Sequence, residues 1–495
     1  MAIFHPTRYF FIRWLSIFIV VLSAGKSMGQ ITPARIQDIL DTEVAHKRTP
    51  GIILGMIDST GKRTVFSAGI QSEVHRVKPD TGTMYEIGSV TKVFTSLILA
   101  DMSLSGELNL DDPISKFLPD SVKAPTWNGQ PITLLNLSCH ATGGFPRMPD
   151  NYRGTDEANP FADYTTAELF DYISRFKLTN APGSRFSYSN SGYGLLGHIL
   201  AQTAHMSYED MVKDRICQVL GMPNTTIVLN AGQQARLATP HNEYGRMVHN
   251  WEMPAIAGTG ALRANLADLM TFAEAHLLLN KTTLSRAVKL THIPRVFKGK
   301  TEGDVTMGWT TFEEKGHHFL WKDGTTAGYR SLVLLDLHKK MGVVILSNSL
   351  NPINDIAYHV IDDRQYPLRP YQYKWALLDT ISTTITSSGV DAAIRLYEQL
   401  KVNHDARFVF EEAQLNNIGN DLRLAGKMED AIKIHQLNRK EYPASASVYE
   451  SLGETYRRSG QPAQAVKYYE QSLGINGDNP HLVWMLGQLK KGVPF

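Results

Sequence analysis

A chain of 495 residues is too long for one ordinary hydrophobic core, so two or more domains are expected. A formal net charge of +2 leaves no electrostatic footprint for nucleic acid, and that class of partner is excluded. The two cysteines, Cys139 and Cys217, come without Cys-x-x-Cys or paired Cys/His spacing, so no structural zinc site is expected; whether the two thiols pair in an oxidising compartment stays open.

The first thirty residues look like an address. Arg8 and Arg13 precede the apolar run Trp14 to Leu22, and small residues follow at Ser27 and Gly29, the pattern of a secretory signal peptide over 1–29 cut near Gly29. The run is short for a membrane span, and a retained N-terminal anchor is the alternative. The mature protein is therefore expected in the periplasm or outside the cell, without a stable membrane span.

From Thr32 to Lys47 the spacing of Ile36, Ile39, Leu40 and Val44 predicts an amphipathic helix. Two strands follow, Gly51 to Ile57 and Arg63 to Ile70, joined by the turn residues Asp58 to Gly61. Next comes Tyr85-Glu-Ile-Gly-Ser-Val-Thr-Lys92, running into the apolar residues Val93, Phe94, Leu97, Ile98 and Leu99 of a helix. Residues 114 to 285 read as helices and loops, with an irregular stretch from Thr142 to Pro160 long enough to suggest a functional loop. Strands return at Thr306 to Phe312, His318 to Lys322, Ser331 to Leu335 and Gly342 to Leu346, and a helix from Ile353 to Asp362 closes the section. The expected fold is α/β, an antiparallel sheet flanked by helices, with a helical region inserted between early and late strands.

The expected domains are 30–363, a linker over 364–389 that opens on Pro367, Pro370 and three tyrosines, and an all-α region over 390–495. A shift of 34 residues brings Ile418 onto Leu452, Gly419 onto Gly453, Leu422 onto Tyr456, Gly426 onto Gly460 and Ala431 onto Ala465. Period and positions resemble the tetratricopeptide repeat, with two units at about 412–445 and 446–479 and flanking helices that would cap them.

Ser89 and Lys92 would face each other across one helical turn, placing a base beside a hydroxyl that is otherwise a poor nucleophile. Ser-x-x-Lys is too short to decide by itself: a copy at Ser23 falls in the signal segment, and one at Ser174 ends at Lys177, in the position of a C-terminal helix charge. Two further motifs favour Ser89. Tyr188-Ser-Asn190 precedes a helix, and Lys322-Asp-Gly324 closes a strand and continues as Thr325-Thr-Ala-Gly-Tyr-Arg330.

Together with Gly106-Glu-Leu-Asn-Leu-Asp-Asp-Pro113 and Gly258-Thr-Gly-Ala-Leu-Arg263, these motifs make residues 32 to 362 resemble the class C beta-lactamase type of penicillin-recognising serine hydrolases, which includes DD-peptidases and esterases. The resemblance implies a beta-lactamase/transpeptidase-like fold and no metal or organic cofactor. It implies Ser89 as the acylated nucleophile, Lys92 as its base with a pKa lowered by burial and by Lys322, and Tyr188 as a proton relay. Asn190 would hold the substrate amide and orient Lys92, Lys322 and Gly324 would form the substrate-carboxylate side, and the backbone N–H groups of Ser89 and Thr325 would form the oxyanion hole. The implied substrate is a small molecule or a peptidoglycan peptide; a beta-lactamase, a DD-peptidase and an esterase all satisfy the motifs. A protein partner at the repeats, and a binding protein that works through them, are the competing expectations. Asp323 stands where the family commonly has Thr or Ser, which suggests weakened carboxylate binding unless it points away, and on this ground penicillins are expected to be poorer substrates than neutral esters or amides. His140 lies in a segment unlike the family's and is expected to be a buried or capping residue.

Overall fold

The computed structural model describes residues 31–152, 158–297, 303–369, 376–405, 408–477 and 479–492; the signal-peptide expectation lies outside the described residues. Among these, no helix is long and apolar enough to cross a membrane. The centre is an eight-stranded antiparallel sheet of β1 (Gly51–Ile57), β2 (Arg63–Gly69), β3 (Val296–Phe297), β4 (Asp304–Val305), β5 (Thr310–Glu314), β6 (His317–Thr325), β7 (Arg330–Asp336) and β8 (Met341–Ser347), in the order β2-β1-β8-β7-β6-β5-β4-β3. Residues between β2 and β3 form the inserted helical region.

The sheet's middle strands are apolar on both faces, as strands covered on both sides must be. Ile52, Leu54, Val343, Ile345, Leu332 and Leu334 face α1 (Pro33–Ala45) and α5 (Asn354–Ile361). Ile53, Ile57, Val344, Leu346, Val333 and Leu335 join the larger core of the helical region. That core contains α2 (Thr91–Leu104), whose Val93, Phe94, Leu97, Ile98 and Leu99 are all 0% exposed. Buried nearly all round, with Thr91, Lys92, Thr95 and Ser96 inside as well as the apolar residues, α2 is a core helix and holds its first turn rigidly. Among the helices around it are α3 (Asn190–Thr203) and, through Phe272, α4 (Leu266–His276).

Boundaries differ from expectation in two places. The strand expected at Thr306 to Phe312 begins at Thr310, because the Thr306 N–H bonds to the Trp309 carbonyl (3.0 Å) and closes a turn there. The segment read as a linker contains a helix, α6 (Ala376–Ser388), whose Leu377, Leu378 and Ile381 pack with Val390, Ala393 and Tyr397 of α7 (Val390–Val402). Its apolar residues recur at helical spacing after the proline-rich stretch, so the helical module begins before residue 390.

The repeats are helix pairs: Glu412–Leu424 with Met428–Glu441, and Ala446–Arg458 with Pro462–Ile475, followed by Pro480–Lys490. Equivalent small residues let each pair cross closely. A methyl group on Gly419 would lie 2.5 Å from the His435 ring, and one on Gly453 2.6 Å from the Tyr469 ring. The module docks on the hydrolase-like domain through Tyr244, packed among α6–α7 side chains, an Arg246–Asp421 ion pair, and a His481–Tyr152 ring contact at 5.4 Å.

The stacked pair Phe94–Phe272, with ring centroids 4.1 Å apart, ties α2 to α4. Phe94→Ala is expected to lower stability by about 3–5 kcal/mol, read as a shifted denaturant midpoint with little change in slope.

Candidate active site

The site is built where the 3₁₀ turn Gly88–Val90 feeds α2 and meets the end of β6. The two backbones touch. Gly88 has φ of 46°, and a methyl group there would lie 2.8 Å from the Thr325 nitrogen. A methyl group on Gly324 would lie 2.0 Å from the Ile87 carbonyl oxygen and 2.5 Å from Ser331 Oγ. Both positions therefore need glycine, and their contact sets the Ser89 backbone beside Thr325. In the β6–β7 register Thr325 lies opposite Arg330, one residue before Thr326, whose N–H bonds to the Tyr329 carbonyl. Alternation along an antiparallel ladder then turns the Thr325 N–H away from β7, toward Ser89.

Ser89, half-buried, meets two proton-transfer groups. Its Oγ is 2.7 Å from Tyr188 Oη, and Lys92 Nζ donates to it at 3.0 Å. Lys92 is 0% exposed and donates a second bond to the Thr259 carbonyl at 2.8 Å. Lys322 is 8% exposed and places Nζ 5.1 Å from the Tyr188 ring centre. Burial, aided by the charges of Lys322 and Arg147 and opposed by Tyr188, lowers the Lys92 amine to about 8. Burial alone would raise the Tyr188 phenol, but Lys322, Lys92 and the Ser89 hydrogen bond outweigh it and bring it down to about 7. Both groups are thus brought down toward neutral pH, Lys92 by burial and Tyr188 by its cationic neighbours, as a proton relay beside Ser89 requires.

Three further residues complete the frame. The His140 ring stacks on Tyr188 at 4.3 Å, and its Nδ1 accepts from the Ser189 N–H at 3.1 Å, so it fixes the Tyr188 ring. Thr259 holds Lys92 through its carbonyl and also donates its hydroxyl to the Asn190 carbonyl at 2.6 Å. Arg147, exposed, lies with its guanidinium 5.6 Å from the Tyr188 ring centre and accepts the Asn190 N–H on its carbonyl. Thr259 lies inside the segment 258–263 singled out in the sequence, and His140 is buried as expected of it; nothing local marks Arg147, which comes from the irregular stretch 142–160.

Two expectations change, and the cysteine pairing left open in the sequence is not formed. Asn190 donates its amide to Met148 Sδ at 3.3 Å, leaving Oδ1 buried without a partner among the described residues, while the Thr259 carbonyl orients Lys92. Asp323 alternates to the opposite face of β6 from Lys322 and lines a separate cavity with Arg48, Arg330 and Tyr358, so the ground for expecting poor carboxylate binding is gone. Cys139 and Cys217 are buried and unpaired, and burial pushes both thiols up to about 12. Lys177, of the discarded Ser174 copy, is exposed beyond a helix ending at Arg175.

A cavity of about 150 Å³ opens over Ser89, walled by Met148, Phe161, Trp251, Met253 and Ile256, with Asn190, Arg147 and Thr325 at its polar edge. A family profile described as Beta-lactamase matches residues 36–365, and one described as Tetratricopeptide repeat matches 411–476. The chain belongs to the beta-lactamase family. D-alanyl-D-alanine-carboxypeptidase/endopeptidase AmpH of Escherichia coli (strain K12) is 33% identical over 250 residues, which cover 50% of this chain and 63% of that relative, less than two thirds of its length. A beta-lactamase of Pseudomonas fluorescens is 25% identical over 358 residues, 64% of this chain and 94% of the relative. The crystal structure of D-alanine carboxypeptidase AmpC from Burkholderia cenocepacia superposes with a TM-score of 0.56 at 25% identity, covering 67% of this chain and 99% of that one. The octameric penicillin-binding protein homologue from Pyrococcus abyssi shares the fold, with a TM-score of 0.59 at 24% identity over 67% of this chain and 77% of that one. The beta-lactamase-family domain thus ends where the repeat module's linking segment begins.

Gly324→Ala is expected to push β6 off the Ile87–Ser89 backbone and cost about 1–3 kcal/mol, as overpacking does, seen as a lowered thermal midpoint.

Proposed function

We propose that this protein is a secreted or periplasmic serine acyl hydrolase of the beta-lactamase/DD-peptidase type. The observation that carries the reading is the double engagement of Ser89 Oγ, by Tyr188 Oη at 2.7 Å and by Lys92 Nζ at 3.0 Å, inside one small cavity. The export rests on the N-terminal pattern of charged, apolar and small residues.

In the proposed step Tyr188, as phenolate, takes the Ser89 proton while Oγ attacks the carbonyl carbon of an amide, lactam or ester. The carbonyl electron pair moves to oxygen, which faces the Ser89 and Thr325 N–H groups. Collapse breaks the bond to the leaving group, which takes the proton from Tyr188 and leaves an ester on Ser89. Water then repeats the sequence and releases the acid. Lys92 and Lys322 remain charged and hold the phenolate; Lys92 thus acts through Tyr188. Asn190, with Oδ1 unpartnered, is placed to receive a substrate amide N–H.

Lys322 and Arg147 both lie against the Tyr188 ring, Arg147 also lines the Ser89 cavity, and Asp323 does not oppose them. This favours acyl donors bearing a carboxylate, such as penicillins, cephalosporins and peptides ending in D-alanine, over neutral esters. A role for the repeats in binding a protein or peptide is supported by a groove of about 510 Å³ lined by Glu450, Glu454, Tyr469 and His481 together with Tyr152 and Pro160. Tyr152 stacks on Phe161 at 5.3 Å, and Phe161 walls the Ser89 cavity, so an occupant of the groove would press on the acyl pocket.

Incubation with a fluorescent penicillin and a chromogenic cephalosporin tests the reading. Wild type is expected to label or turn over, and Ser89→Ala to lose more than about a thousandfold of either activity; equal behaviour of the two proteins would refute it. The acylation rate is expected to rise with pH through about 7, where Tyr188 ionises. Lys322→Met removes the strongest cause holding that value down, so the acidic limb should move to higher pH, and an unmoved limb would exclude Tyr188 as the base.

A further inference from the structure

At the other end of β6, a second group of chemistry-bearing side chains is assembled by the sheet register. Glu313 on β5 lies directly opposite His318 on β6. The Leu337 N–H bonds to the His318 carbonyl at 2.8 Å, which brings the β7–β8 turn and His338 to the same edge. One ligand atom from each of Glu313, His318 and His338 lies within 4.8 Å of the others, and the two imidazole rings stand edge to face at 5.3 Å.

The backbones under these side chains share one anchor. Asp336, 0% exposed, accepts on Oδ1 from the N–H groups of His318 (3.3 Å), His338 (3.1 Å) and Lys339 (3.2 Å). The His318 ring is oriented by a second chain of bonds. Thr311 gives its only hydroxyl proton to the Phe319 carbonyl (2.8 Å), so at 3.0 Å it must accept from His318 Nε2–H. That places the neutral ring's lone pair on Nδ1, which faces Glu313 Oε1 at 3.9 Å. A ring nitrogen donating to an oxygen while the other points into a cluster of donors is how imidazole metal ligands are held.

We infer that Glu313, His318 and His338 form a site for a divalent transition-metal cation of the zinc type, with solvent as the fourth ligand. Two imidazoles and one carboxylate suit that cation, and a tetrahedral site with legs of 2.0–2.1 Å needs donors about 3.4 Å apart. Small rotations of the exposed Glu313 and His338 side chains close the gap. His318 precedes Lys322 by four residues, roughly 13 Å along a strand, so the ion lies away from Ser89 and serves to clamp the β5–β6 hairpin to the β7–β8 turn. The absence of Cys-x-x-Cys or local Cys/His spacing does not bear on it, because the three ligands are brought together by strand pairing and a turn.

The full mature protein, stripped with a chelator, should bind one equivalent of Zn²⁺ at these residues by calorimetry and raise its thermal midpoint. Co²⁺ in its place should give the visible absorption of a tetrahedral site. His338→Ala, exposed and safe for folding, and His318→Ala should each weaken this binding at least tenfold and abolish the Co²⁺ band, while His205→Ala, exposed on a distant helix end, should leave both unchanged. Thr311→Val should weaken it about tenfold through the ring orientation alone. Binding that is undiminished in both His318→Ala and His338→Ala, or no Zn²⁺ uptake below millimolar concentration, would overturn the site.

Discussion

One phenol between two buried ammonium groups is the interaction on which the site depends. Lys92 and Lys322 each place an ammonium about 5 Å from the Tyr188 ring centre, and two buried like charges sharing one ring are stabilised by an anion between them. Tyr188 supplies it, and its fall from 10.0 to about 7 corresponds to about 4 kcal/mol in favour of the ionised form. The same arrangement explains why the frame around it is rigid. Lys92 sits on a helix buried nearly all round, the Tyr188 ring is backed by His140, and Lys322 comes from a central strand. A loose frame would let water reach the charges and erase the shift.

The backbone contact between Gly88 and Thr325 is the second constraint, and it depends on the first only through geometry. It fixes how far the nucleophile lies from the amide that faces it, with no side chain to adjust the distance. Gly324 keeps the approach open and Ser331 ties it shut by donating to the Ile87 carbonyl at 2.8 Å. Lys322 and Thr325 are therefore positioned by the same few residues of β6, and a change in that strand's register would displace the cation and the amide together.

Much of this was legible in the residues themselves. Ser89–Lys92 is a local pair at helical spacing, and the apolar run after it announces its own burial. The strand pattern and the 34-residue echo in the repeats are periodic signals that survive without a structure. What could not be read was whatever pairing across the fold creates. His140 acquires meaning only by stacking on Tyr188, from a residue 48 positions away in the numbering. Asp323 looked like a threat to anion binding until strand alternation put it on the far face. Asn190 was given a task that a backbone carbonyl, which has no letter of its own in a motif, performs instead. The helix at 376–388 was hidden by the prolines and tyrosines just before it, which carry a linker's composition into a segment whose Leu377, Leu378 and Ile381 belong to the repeat core.

The strand β6 links these observations. At one end it carries Lys322, Gly324 and Thr325; at the other, His317 and His318 bond to the carboxylate and backbone of the β7–β8 turn. His317 is fully buried against Asp336 and reaches Asp362 beyond α5, so the far end is anchored by hydrogen bonds to two carboxylates where the near end is anchored by backbone contact. A strand held at only one end can fray, and fraying here would reach the amide facing Ser89 within eight residues. Polar anchoring at the far end thus has a consequence at the near one: it keeps a strand of fixed register presenting a lysine and an N–H to a serine that cannot move to meet them.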